Sequence, residues 1–247
     1  MIAQGAGAKR PGDIPVTVLV LAKAPLPGLA KTRLAAVVGP EAAADIAAAS
    51  LLDTLDAVAA APVEAGVVAL TGDVTRAARG AELRERLRMF TVIAQRGVDF
   101  PNRLANAHAD AFAAAGPQPL LQIGMDTPQV TAELITRCAE ALLTAPAVLG
   151  MATDGGWWVL GVHSATMSAV LRDIPTSRDD TGAVTLAALR ETGVDVTLVD
   201  QLRDVDTIDD IEAIRHMCPP DSRFAKATDA LAQPADALAK ATDAAGG

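Results

Sequence analysis

Apolar runs alternating with helix-length segments across residues 16–217 predict an α/β protein, a three-layer α/β/α sandwich around a mainly parallel sheet. Three features carry this. Residues 16–22 read VTVLVLA, a β-branched run with no polar alternation, as expected of a strand covered on both faces. Further strand-like runs recur at 63–70, 89–94, 121–124, 147–151 and 194–199, with helix-like segments between them. Four polar clusters, at 23–33, 95–103, 124–128 and 152–158, begin where four of these runs end, and in open α/β sheets ligands gather beyond the carboxyl ends of the strands.

Composition narrows the class. The chain has 247 residues, 51% of them hydrophobic, enough for a sizeable core, and a formal net charge of −9. That balance argues against a nucleic-acid partner, which requires a basic face. Cys138 and Cys218 lie far apart, without CxxC spacing or neighbouring His ligands, so neither a zinc site nor a disulfide framework is expected. The first residues lack the apolar core of a signal peptide, and no apolar run reaches membrane-spanning length, so the expected location is cytoplasmic, with no membrane partner. The expected organisation is a flexible arm at 1–15, one domain at 16–217 and an Ala-rich tail at 218–247. In that tail AKATDA occurs at 225–230 and again at 239–244, and Phe224, Leu231 and Leu238 recur every seven residues, so part of it is expected to dock as a helix.

After the first strand comes KAPLPGLAKTRL, residues 23–34. Two prolines and a glycine fix a loop there, and Lys23, Lys31 and Arg33 make it a local anion site in an acidic protein, with Arg offering a planar fork and Lys a point charge to phosphate oxygens. Neither the P-loop nor the Rossmann glycine spacing is present. Gly39-Pro40-Glu41 opens a helix that turns Ile46, Leu52, Leu55 and Val58 inward. The 63–70 strand exits at Thr71-Gly72-Asp73, and 76–88 is a charged helix with a solvated face. The 89–94 strand ends at Gln95, a candidate nucleotide contact, before a helix with Arg103, His108 and Phe112; His108 has no ligand partner at metal spacing and reads as structural.

Residues 121–128, LQIGMDTP, are the centre of the chain's chemistry. Gly124 allows close approach of a nucleotide. Asp126 sits on a strand-end loop stiffened by Thr127-Pro128, where one carboxylate can share Mg²⁺ (or Mn²⁺) with nucleotide phosphates; an Asp here serves equally as an ordinary turn or helix cap. A helix follows from 131 to 143. The 147–151 strand then leads into ATDGGWWVLG: Asp154 points toward the same crevice, Gly155 and Gly156 let backbone pass close to a substrate, and Trp157 lines it. Strand alternation allows at most one of Trp157 and Trp158 to do so. A short helical segment from His163, a polar loop at 176–181, a helix at 182–190 and the 194–199 strand complete the domain. In the acidic run 204–210, Thr207 with Asp210 makes a helix cap, and Asp206 is a candidate second metal ligand.

These residues also carry a resemblance. The order AKAPLPGLAKTRL, QRGVDFPNR, GMDTP, LGMATDGGWWVLG and DVDTIDD, spanning about 16–212, is similar to the bacterial GT-A-fold transferases of domain-of-unknown-function class 2064, also called selenodomain-associated transferases or glycosyltransferases. The resemblance implies the GT-A (nucleotide-diphospho-sugar transferase) fold and kinship with guanylyltransferases acting on phospholactate or the molybdenum cofactor. It implies donor-phosphate binding by Lys23, Lys31 and Arg33, metal binding by Asp126, and a substrate-facing Asp154. The chain departs from the family pattern at Gly150-Met151-Ala152, where Gly-Pro-Ala is common, at Trp157-Trp158, where a tyrosine pair is common, and in having Asp-Thr-Pro rather than a D-x-D triplet at Asp126.

Three functions follow: a glycosyltransferase using a nucleotide-diphospho-sugar; a nucleotidyltransferase joining an NTP to a phosphorylated small molecule with loss of pyrophosphate; and a silent nucleotide-binding module. Two retained carboxylates and three loop cations favour a metal-dependent enzyme over the third.

Overall fold

Uninterrupted burial along the first strand fixes the centre of the molecule. In β1 (Ile14–Lys23) the side chains of Val16, Val18, Leu19 and Val20 are fully buried, as its unalternating sequence requires. The computed structural model describes residues 13–231. β1 pairs in parallel with β2 (Val63–Thr71) on one side and β4 (Leu120–Ile123) on the other, and β2 with β3 (Thr91–Ala94). Beyond β4 the sheet continues through β6 (Trp157–Val162), β5 (Ala147–Ala152) and β7 (Val196–Leu202), giving seven strands in the order β3-β2-β1-β4-β6-β5-β7.

β6 is antiparallel to both its neighbours, while β5 and β7 are parallel. The short turn Thr153-Asp154-Gly155-Gly156 makes β5 and β6 a hairpin, because four residues cannot form the crossover that a parallel pair needs. The sheet is therefore mainly parallel with one reversed strand inserted between β4 and β5.

Helices cover both faces. α2 (Pro40–Ala60), α3 (Gly80–Leu87) and α5 (Ala132–Thr144) bury Leu51, Leu55, Leu83, Ile135 and Leu142 against one face. α4 (Phe100–Ala115), a 3₁₀ segment at Met167–Asp173 and α6 (Thr181–Glu191) bury Leu104, Leu171 and Leu189 against the other. A fully buried aliphatic side chain of this size contributes about 1.5–3 kcal/mol, so these two layers hold the sandwich together. A third cluster joins α1 (Thr32–Val38), α2 and α7 (Ile208–Met217) to α8 (Arg223–Ala227), whose Phe224 is fully buried.

Thr207 and Asp210 form the expected capping box at the start of α7. Ile14 and Pro15, counted with the N-terminal arm by sequence, belong to β1. Residues 1–12 and 232–247, with Leu238 and the second AKATDA, lie outside the described residues.

Candidate active site

Since β1, β4, β5 and β7 share one direction, their carboxyl ends and the beginning of β6 lie along one edge of the sheet. A cavity of about 550 Å³ opens there. Its wall contains Arg33, Gly124, Asp126, Asp154, Gly156, Trp157 and Asp206, so most of the residues singled out by sequence are brought together.

Lys31 sits behind that wall. It adopts a left-handed backbone conformation (φ 46°) just before α1, a position seldom taken by a non-glycine residue. Its ammonium donates to Asp126 Oδ2 at 2.9 Å and to the carbonyl of Val205. Burial alone lowers a lysine pKa, yet Asp126, with Asp204 and Asp206 beyond it, outweighs burial and holds Lys31 above its ordinary value. Arg33 forms the matching ion pair with Asp206. The backbone joins the same loops, with Val205 N–H donating to Asp126 O at 2.9 Å.

Asp154 is oriented by its own hairpin: Oδ1 accepts the Gly156 N–H at 2.8 Å. Gly155 carries φ +90°, and a Cβ there would stand 1.8 Å from the Asp179 carbonyl oxygen, so only glycine lets the 176–181 loop close on the hairpin. Gly155 itself is not in the cavity wall. Lys23 is also outside it, with its ammonium on the Leu29 carbonyl at 2.8 Å. Gln95 is likewise outside; its amide nitrogen donates to Ala22 O (2.8 Å) and Ala69 O (2.9 Å), tying the ends of β1 and β2 together.

Both tryptophans contribute to the wall, where alternation leads one to expect a single ring. They do pack on opposite faces of the sheet, and Trp158 is 3% exposed with its indole N–H on Asp200 O at 2.8 Å.

Two residues of the wall have a significance that the sequence did not reveal. The acidic run 204–210 reads by sequence as the start of α7, but burial first, then the nearby Asp126 and Asp154, push the Asp204 pKa up to about 6. Gln122 is a lone amide inside the apolar run LLQI, and that oddity was its only signal. In total the wall holds five aspartates, at 126, 154, 179, 204 and 206, against two arginines, Arg33 and Arg178. Among the described residues no group of three or more His, Cys, Asp or Glu is placed to hold a metal ion.

The family profile of DUF2064, uncharacterized proteins conserved in bacteria, matches residues 54–178. The chain belongs to this family. A solved structure similar to this DUF2064 chain is a protein of Desulfovibrio desulfuricans G20 named as a candidate nucleotide-diphospho-sugar transferase, 26% identical, covering 88% of this chain and 96% of its own, with a TM-score of 0.74. A cytidylyltransferase from Leptospira borgpetersenii is 14% identical, covering 88% and 94%, TM-score 0.54. The CMP:2-keto-3-deoxy-manno-octonic acid synthetase complexed with CTP is 11% identical, covering 82% and 97%, TM-score 0.52. At the two lower identities the likeness is one of fold. The sandwich of this DUF2064 chain thus matches the nucleotide-diphospho-sugar transferase fold. Comparison with curated proteins gives no sequence match. Among the described residues no helix is long and apolar enough to cross a membrane.

Proposed function

We propose that this DUF2064 chain is a metal-dependent transferase that moves a sugar from a nucleotide-diphospho-sugar to the hydroxyl of a small acceptor. The observation that carries the reading is the double ion pair, Lys31 with Asp126 and Arg33 with Asp206. Lys31 ends the loop after β1, Arg33 lies in the first turn of α1, and both carboxylates come from loops after β4 and β7, so each pair joins an anion-binding group to a cation-binding one. A metal–nucleotide complex supplies the partner for both halves at once: its phosphates for Lys31 and Arg33, its metal for the carboxylates.

The residues present fit a metal shared with substrate rather than an all-protein cage. Mg²⁺ usually takes one or two protein carboxylates and completes its shell with phosphate oxygens and water. Asp126 and Asp206 would provide them, with Asp204 beside them; burial and the Asp126 and Asp154 charges disfavour its ionised form, and a cation relieves that. Held there, Mg²⁺ or Mn²⁺ would neutralise charge growing on the leaving nucleoside diphosphate.

Lys31 and Arg33 would bind the departing phosphates, Lys23 standing at the loop's outer side. Gly124 leaves room for the donor, and Gly156 and Trp157 border the acceptor. Asp154, held by the Gly156 N–H, would orient the acceptor hydroxyl and take its proton as oxygen bonds to the sugar carbon; the bond from that carbon to phosphate breaks, its electron pair leaving with the diphosphate.

The shared fold of the cytidylyltransferase and of the synthetase crystallised with CTP supports a second reading, nucleotidyl transfer from an NTP. A thermal-shift series with NTPs and nucleotide-sugars, each with and without Mg²⁺, tests both, because a ligand of the native state raises the melting temperature. A Mg²⁺-dependent shift with a nucleotide-sugar, and nucleoside diphosphate as product, is expected. Response to NTPs alone, with pyrophosphate released, would install the second reading; no response to any nucleotide would remove both.

A further inference from the structure

The chain around Asp126 has left the sheet, so something other than a neighbouring strand must hold it. Pairing of β4 with β1 stops at Val20 and Ile123, and with β6 at Ile123 and Val159, although β1 runs on beside β2 as far as Lys23. The peptides that carry Asp126 lie beyond that ladder, where each backbone group needs a partner elsewhere or in water. Two of them find partners on distant elements. The Asp126 carbonyl accepts the Val205 N–H at 2.9 Å. The Met125 carbonyl accepts the hydroxyl of Ser50, a residue of α2 75 positions away, also at 2.9 Å. Met125 is fixed by its side chain too, its sulfur accepting the Lys23 N–H at 3.1 Å.

Ser50 is out of character for its helix. It is 1% exposed, in a stretch where Ala47, Ala48, Ala49, Leu51 and Leu52 are all buried. Serines and threonines inside helices commonly turn the hydroxyl back on the carbonyl three or four residues earlier. Thr54 does so to Ser50 O, and the buried hydroxyls of Ser168, Thr185 and Thr228 do the same within their own segments. The Ser50 hydroxyl instead leaves its helix and reaches the turn after β4.

The consequence is geometrical. Peptides are planar, so a residue has only two soft backbone dihedrals, and the planes on either side of its Cα fix where its side chain starts. At Asp126 both planes are pinned, the preceding one by Ser50 and the following one by Val205. Only the rotation of the side chain itself is left, and there Lys31 holds Oδ2.

We infer that Ser50 is a positioning residue of the site: from α2, outside the cavity wall, it sets the direction in which Asp126 presents its carboxylate to the metal–nucleotide complex. The inference rests on the transferase reading, in which Asp126 is a ligand of that metal. Loss of the hydroxyl leaves the Met125 carbonyl without its partner, which favours rotation of that peptide toward another donor. Residues that orient a metal ligand without touching the metal commonly change metal affinity by about tenfold or more.

The test uses the full chain well below its unfolding temperature. Mn²⁺ binding in the presence of UDP or GDP, followed by electron paramagnetic resonance, should weaken about tenfold in Ser50→Ala. Exchange of the Val205 amide proton, followed by NMR without metal or nucleotide, should become faster in the same variant, because the Asp126 carbonyl it bonds is no longer held in place. Thr54→Val is the control. It removes a fully buried hydroxyl from the same helix whose bond stays within α2, and it should leave both readouts as in the unmodified protein. Should Ser50→Ala not fold, Ser50→Cys, close in size and a weaker donor, gives the same two readouts.

Unchanged Mn²⁺ affinity in the Ser50 variant, unchanged Val205 exchange, or an equal loss in Thr54→Val would each overturn the inference, the last by showing a helix weakened as a whole. Failure of the unmodified protein to bind Mn²⁺ with either nucleotide would instead strike the transferase reading, and Val205 exchange would still decide whether Ser50 holds the Asp126 turn.

Discussion

Lys31 and Asp126 lie 95 residues apart in the chain and meet at 2.9 Å. The contact joins the loop that leaves β1 to the loop that leaves β4, so one hydrogen-bonded ion pair closes the floor of the site. The two side chains are 12% and 36% exposed. Lys31→Met leaves Asp126 facing Asp204 and Asp206 without compensation. The expected loss of stability is about 1–2 kcal/mol, below the about 3–5 kcal/mol of a fully buried pair because Asp126 remains partly in water. Urea unfolding measures it. The same variant should bind Mn²⁺ more tightly in the absence of nucleotide, read by electron paramagnetic resonance, because the ammonium no longer occupies Asp126. Unchanged Mn²⁺ affinity would show that Lys31 and the metal do not compete.

His108 gives the protein an acid limit. It is fully buried on α4, and burial lowers its pKa from 6.5 to about 4, only partly offset by Gln122. Between those values the unfolded chain holds a proton that the folded chain refuses, so stability falls as pH drops from about 6.5 toward 4, by about 3 kcal/mol in all. Above pH 6.5 this group contributes no slope. Unfolding free energies measured from pH 7.5 to 4.5 should show the decline, and His108→Gln should flatten that part of the curve whatever its effect at pH 7.5. An unaltered slope in the variant would mean that His108 titrates normally.

The contrast between Asp126 and Asp204 shows what sequence can and cannot reveal. Asp126 follows a four-residue apolar run and precedes Thr127-Pro128, so its place at a strand end is a local property. Asp204 sits two residues from Asp206 in a run that also caps α7, and local chemistry accounts for it completely; only the tertiary arrangement brings it to Asp126 and Asp154. The same holds for β6. It is absent from the six strand-like runs of the sequence, and both its presence and its direction depend on Gly155 accepting φ +90° in a turn short enough to force a hairpin. Gln95 illustrates the reverse error, since being at a strand end does not determine where an amide points, and this one bonds two neighbouring carbonyls.

The docking of α8 is another long-range event, and it should be measurable. Asp53 on α2 accepts the backbone N–H groups of Arg223 (3.1 Å) and Phe224 (2.8 Å), while the Arg223 guanidinium also reaches Asp56 and, at 2.6 Å, Glu82. Burial raises the Asp53 pKa despite these contacts, so the carboxylate depends on its partners. Phe224→Ala should cost about 3–5 kcal/mol, as for other fully buried aromatic residues. Arg223→Ala should cost less, about 1–2 kcal/mol, because its side chain and Glu82 are partly exposed. Thermal or urea unfolding of the two variants gives the ranking, and a larger loss for Arg223 would mean that charge, not the ring, anchors the segment.

Gly155 and Gly193 separate backbone strain from steric closure. Both have positive φ, +90° and +82°, but a Cβ at Gly193 meets nothing within 4 Å, whereas at Gly155 it falls 1.8 Å from the Asp179 carbonyl oxygen. Gly193→Ala should therefore show only the conformational penalty, about 1 kcal/mol. Gly155→Ala adds a collision between two backbones, which flexible side chains cannot relieve, and overpacking of this kind costs about 1–3 kcal/mol more. The hairpin carrying Asp154 and Trp157 must then separate from the 176–181 loop, breaking the Gly182 N–H bond to Gly155 O, 2.8 Å long. On the proposed reading, in which the segments after β1, β4 and β7 hold the nucleotide, nucleotide affinity should change little, while turnover with any acceptor should fall at least about tenfold, as displacement of a positioning element by about an ångström commonly does. Calorimetric nucleotide titration alongside turnover assays checks the division. Equal loss of both in Gly155→Ala would place the hairpin in the donor site instead.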